Sequence, residues 1–84
     1  MVRCWLVERD VFDEDLVTLV YATPDGERAT TLQWSANMVA RKGVTAARDV
    51  DPADLDPVDG ADRRERYAGE AARMADRHDP DERV

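Results

Sequence analysis

Isoleucine is absent from this chain of 84 residues, and lysine occurs once, as Lys42. Cysteine also occurs once, as Cys4, which excludes an internal disulfide. A lone thiol in an apolar stretch is by default a small buried hydrophobe. The single histidine, His78, has no cysteine near it in sequence and matches no metal-ligand spacing. No apolar run approaches the roughly 20 residues needed to cross a bilayer. Arg3 is followed by only four apolar residues before Glu8, too few for the core of a secretory signal. By elimination the expected location is the cytoplasm, with no membrane partner.

What is present is a particular choice of charges. Eleven of the 12 basic residues are Arg, 13 of the 19 acidic residues are Asp, and the net charge is -7. A dense acidic shell of this kind suits a salt-rich cytoplasm. A GC-rich genome would also favour Arg, Ala, Asp and Val, but accounts less well for the acidic excess. A chain this short holds one domain and buries only about 60% of its unfolded surface. Self-repulsion adds to that weakness in dilute buffer, whereas at about 1 M salt the Debye length falls to about 3 Å. High salt is expected to stabilise the fold.

Residues 2–9, VRCWLVER, have the β-rich composition of a strand with both faces partly apolar. The acidic stretch 10–15 is expected to be a loop. LVTLVYAT at 16–23 carries bulky groups on both faces, the pattern of a central strand. PDGE at 24–27 is a turn, in which Pro24 presets φ and Gly26 supplies φ > 0. RATTLQW at 28–34 then returns as a third strand, completing an antiparallel meander. Residues 35–43 read as a short helix or a loop; as a helix, Ser35 is its N-cap and Gly43 its end. Residues 44–50 suit a fourth strand.

An acidic linker with two Asp-Pro steps follows at 49–60, and Ala61 to His78 form a long helix that Asp59 can cap. Tyr67, Ala71, Met74 and His78 share one helix face, and Asp62–Arg66 and Arg66–Glu70 are potential i,i+4 pairs. Gly69 reflects either close packing or tolerance. The expected fold is α+β: an antiparallel sheet of three to four strands with the C-terminal helix packed on one face. The domain spans residues 1–79, and residues 80–84 form a frayed tail.

Charge is unevenly distributed along the chain. Residues 28–48 contain no Asp or Glu but include Arg28, Arg41, Lys42 and Arg48, while residues 49–62 contain six Asp and no base. One reading is that the acid-free segment faces an anionic partner, with Trp34 stacking on a base and Gln33 and Asn37 reading edges. Two others need no partner: the segment is simply buried, or it pairs with the acidic linker that follows it. No P-loop, zinc or helix-turn-helix pattern accompanies it. No catalytic residue, cofactor site or metal set stands out. Cys4 lacks a nearby base, Asp13, Glu14 and Asp15 lack calcium-loop spacing, and His78 suits a helix C-terminus.

Three stretches, VRCWLVERD, LVTLVYATPDGER and RYAGEAARMADRHDPDERV, resemble a group of short, acidic, uncharacterised proteins of haloarchaea. The resemblance implies a salt-rich cytoplasm and carries no activity or site residue. The expected function is a non-enzymatic binding or accessory module, with an unknown protein or a second copy as partner. A nucleic-acid-associated protein is the alternative, and a small enzyme a more distant one.

Overall fold

The structure is a computed structural model and describes residues 1–13 and 15–84. Five strands form one antiparallel sheet: β1 (Val2–Asp13), β2 (Leu16–Ala22), β3 (Arg28–Ser35), β4 (Ala47–Val50) and β5 (Asp56–Pro57). Their order across the sheet is β4-β1-β2-β3-β5. Among the described residues two helices complete the α+β fold, α1 (Ala36–Lys42) and α2 (Ala61–Arg77).

The central strand is β2, as its two-sided apolar pattern predicts. Val17, Leu19 and Tyr21 point to one face, and Val20 and Ala22 to the other. On the first face they pack with Cys4, Leu6, Val44, Val50 and Leu55, and half-buried Trp34 and Val39 lie against this cluster. On the second face Tyr67 of α2 meets Val20, Ala22 and Val58, and Ala71 meets Trp5, Ala46 and Ala47. Full burial of a side chain such as Leu19 contributes about 1.5–3 kcal/mol.

The first strand runs longer than the sequence suggests. Residues 10–13, expected in a loop, continue β1 and pair with 16–18 of β2, apart from one register shift. Residue 14, the next in that expected loop, lies outside the described residues. Pairing along the full length of β2 satisfies backbone groups that a loop would leave to water. Thr23 N–H donates to the Arg28 carbonyl, closing the turn between β2 and β3, and Gly26 there has φ +71°.

Gly26 also meets α2 closely. A Cβ on it would lie 2.1 Å from the Arg64 carbonyl oxygen and 2.7 Å from the Ala68 nitrogen. The turn is therefore seated on the helix backbone, and only glycine satisfies both the contact and the positive φ. The Thr23 hydroxyl donates to Asp25 Oδ1 at 2.5 Å, and Glu27 N–H donates to the same oxygen at 3.0 Å. These bonds, the hydroxyl first, hold the Asp25 carboxyl below the usual range.

The acidic linker is ordered into short elements. It contains one 3₁₀ turn (Pro52–Asp54), capped where Asp51 accepts from Ala53 N–H at 2.9 Å, and then β5. The sheet thus gains a fifth strand beyond the three or four expected. β5 is an edge strand, where the missing N–H of Pro57 is tolerated. Asp59 does not cap α2. The N-cap is Gly60, and no side chain bonds the helix start. Neither expected i,i+4 ion pair forms: Arg66 reaches across to Glu8 at 3.2 Å, and Glu70 pairs with Arg73 at 2.7 Å.

The chain end is also held. Only 47–50 of the expected fourth strand join the sheet, on the far side of β1, while residues 44–47 bond the tail. Ala46 N–H donates to Glu82, Ala47 N–H to Pro80, and Val84 N–H to Val44. Residues 80–84, read from sequence as frayed, therefore lie beside 44–47. Burial of Val44 and Ala46 draws their backbone out of water, and the tail supplies the partners their polar groups then need.

Candidate functional site

β3 carries the site because of where it stands in the sheet. One of its sides pairs with β2 over its whole length. Among the described residues the other meets β5 at Arg28 and Ala29 alone, so residues 30–35 form an open edge.

The hydrogen-bond alternation fixes which groups are open. Thr23 N–H bonds the Arg28 carbonyl, Ala36 N–H bonds the Asp15 carbonyl, and Val58 N–H bonds Glu27 on the opposite side. Residues 30, 32 and 34 therefore direct their backbone groups toward β2, Thr31 and Gln33 direct theirs outward, and Ser35 directs its N–H outward while its carbonyl, as the N-cap of α1, is taken by the helix. These three side chains are exposed.

Side-chain alternation divides the candidates read from sequence. Arg28 and Trp34 fall on the face of Leu19 and Tyr21, whereas Gln33 falls on the face of α2. Six residues of strand, about 20 Å, separate Arg28 from Trp34. α1 follows directly: Ser35 Oγ accepts from Met38 N–H at 3.1 Å, Gly43 at φ +75° ends the helix, and Asn37, Arg41 and Lys42 are exposed.

Trp34, Lys42 and Arg48 do come together. Lys42 Nζ lies 5.7 Å and Arg48 Cζ 5.4 Å from the centre of the Trp34 ring. Arg48 also lies 5.8 Å from the ring of Tyr21, a neighbour that no sequence pattern indicates. Such cation–π contacts contribute about 0.5–1 kcal/mol at exposed sites. The indole is thus half-buried with cations already at its ring. Arg48 takes part in no ion pair among the described residues.

Neither internal explanation of the acid-free segment covers its first part. No residue from 28 to 42 is buried, although Val44, Ala46 and Ala47 beyond it are. No ion pair among the described residues joins 28–48 to 49–62, and Asp49 pairs instead with Arg3 at 2.8 Å. A half-exposed strand and helix without one acid stand on an otherwise acidic surface.

Beside the open edge lies a cleft of about 480 Å³. Thr30, Thr31 and Leu32 of β3 line one wall, and Arg48, Asp49, Asp51, Asp54 and Asp56 line the others. The linker aspartates were legible as an acidic run, but their place against β3 was not. Cys4 is fully buried, and that burial pushes its thiol above the ordinary range, so it stays protonated at neutral pH. His78 Nδ1 bonds Glu82, and no group of three or more potential metal ligands converges among the described residues. No helix among the described residues is long and apolar enough to cross a membrane.

The sequence matches the model of a family of unknown function over residues 1–84. The chain belongs to DUF7967. Neither a curated protein nor a solved structure matches it. The family assignment carries no activity, so the edge and its charges are the basis for a functional reading of this DUF7967 domain.

Proposed function

We propose that this chain is a non-enzymatic protein-interaction module of a salt-rich cytoplasm, and that the open edge of β3 with α1 is its contact surface. The observation that carries the proposal is the exposure of an uncharged strand edge in a chain with 37% charged residues. Folded proteins protect open edges with charges, proline, bulges or short length. β1 beyond its pairing with β4 follows that practice: it carries Glu8, Arg9 and Asp10 and two register shifts. The edge of β3 from Thr30 to Ser35 has no charge, no proline and no register shift.

Backbone pairing also suits concentrated salt. Phosphate contacts weaken by about 0.9 log units of affinity per contact for each tenfold rise in salt, whereas N–H···O bonds carry no such term. Nucleic-acid binding has less support. Gln33 and Trp34 lie on opposite faces, Trp34 already has two cations at its ring, and the adjoining cleft is acidic.

A photo-cross-linker at Gln33, compared with one at exposed Glu65 of α2, tests the proposal in lysate held at molar KCl. The expected product at position 33 is a nuclease-resistant protein adduct that position 65 lacks. A nuclease-sensitive adduct at position 33, or equal labelling at both sites, would refute it.

A further inference from the structure

We infer that the partner at this edge is a second copy of the same chain, joined antiparallel through β3 about a two-fold axis at Gln33. The inference rests on the interaction-module reading and names its partner. Centring the axis at Gln33 pairs Gln33 with its own copy and Thr31 with the second copy's Ser35. Gln33 then exchanges both its N–H···O bonds with its own copy, and the outward Ser35 N–H reaches the second copy's Thr31 carbonyl. The same register sets half-buried Leu32 opposite the second copy's Trp34, an aliphatic–aromatic cross-strand pair on one face. No charged residue faces another within the strand pair, which matters for two chains that each carry a net charge of -7.

Charge complementarity beyond the strands points to the same partner. α1 continues from the Ser35 end of β3, and Asp56 stands beside Ala29 at the other end. An antiparallel two-fold brings each end against its opposite. The second copy's Arg41 and Lys42 then approach Asp54 and Asp56, which line the cleft beside Thr31. Within one chain these bases and acids form no ion pair among the described residues. Across the axis they meet twice. The acid-free segment and the base-free linker become the two halves of one self-complementary surface, as an isologous interface requires.

The test is the mass of the purified full chain by light scattering and sedimentation in about 0.5 M KCl, where close pairs are only partly screened. The wild type is expected to dimerise in the micromolar range. Gln33→Lys places two ammonium groups together at the axis and is expected to give a monomer with unchanged circular dichroism, because Gln33 is exposed in the single chain. Arg41→Glu with Lys42→Glu is expected to weaken the dimer at least about tenfold, and adding Asp54→Lys with Asp56→Lys to recover most of that loss.

A wild type that stays monomeric at several hundred micromolar overturns the inference. So does a dimer indifferent to Gln33→Lys, or one lost on Phe12→Asp at the exposed end of β1 and kept on Gln33→Lys. A monomeric wild type that still cross-links from position 33 to another protein overturns self-pairing and leaves the module reading standing. Absence of both overturns both.

Discussion

Replacing Gly69 by Ala should stabilise this protein, and the same replacement at Gly26 should strongly destabilise it. Gly69 lies inside α2, is exposed, and would have nothing within 4 Å of an added Cβ. The substitution therefore adds no contact and no clash. What changes is the conformational freedom that the unfolded chain gives up, about 0.8–1 kcal/mol in a helix interior. For a domain of this size that shift raises Tm by about 4–8 °C per kcal/mol. At Gly26 the Cβ would sit 2.1 Å from the Arg64 carbonyl oxygen, at a backbone atom that cannot rotate away, and φ is +71°. Left-handed backbone alone costs about 1–2 kcal/mol, and lifting the turn off α2 exposes part of the Tyr67 cluster as well. A loss of more than about 2 kcal/mol is expected. Urea titration in molar KCl, with thermal melts alongside, measures both, and the urea slope of Gly69→Ala should match wild type. A Gly69→Ala protein no more stable than wild type would refute the claim that this glycine is merely tolerated. A Gly26→Ala protein of wild-type stability would refute the seating of the turn on the helix.

Thr18 Oγ1 is buried without a hydrogen-bond partner among the described residues, so Thr18→Val should be neutral or stabilise by up to about 1–2 kcal/mol in the same titration. The folded carboxyl of Asp25 titrates below its unfolded value of 3.8, so its contribution is complete above that value and disappears as pH falls through the folded one. The Tm gap between wild type and Asp25→Ala should therefore be constant near neutrality and close as the pH falls below about 4. Arg48→Ala should cost about 1–2 kcal/mol and shift the Trp34 fluorescence, with Arg48→Lys recovering only part, because an ammonium does not stack as a guanidinium does. The melting temperature of the wild type should rise from dilute buffer to multimolar KCl, and a flat dependence would contradict the salt-adapted reading.

Features governed by neighbours along the chain are legible in the residues alone. The two-sided apolar pattern of 16–23 marks the central strand, Pro24 to Glu27 the turn, Ser35 and Gly43 the limits of α1, and Tyr67, Ala71 and Met74 the inward face of α2. Each depends on side-chain periodicity or on one residue's φ, which the chain carries locally, although the residues left open whether 35–43 form a helix or a loop. The extent of β1, the short strand at Asp56, the partners of Arg66 and the pairing of residues 80–84 are not legible there. They depend on which strand lies beside which.

The candidate site divides the same way. That residues 28–48 carry no acid and residues 49–62 no base is plain from the order of residues. Folding places β3 near the rim of the sheet, with β5 against only Arg28 and Ala29 of it. It likewise sets Gln33 and Trp34 on opposite faces, and brings Arg48 to Trp34 from the far side of the sheet. The physical reason is range: composition and periodicity act between residues a few positions apart, whereas an edge exists only once every other strand has found its place.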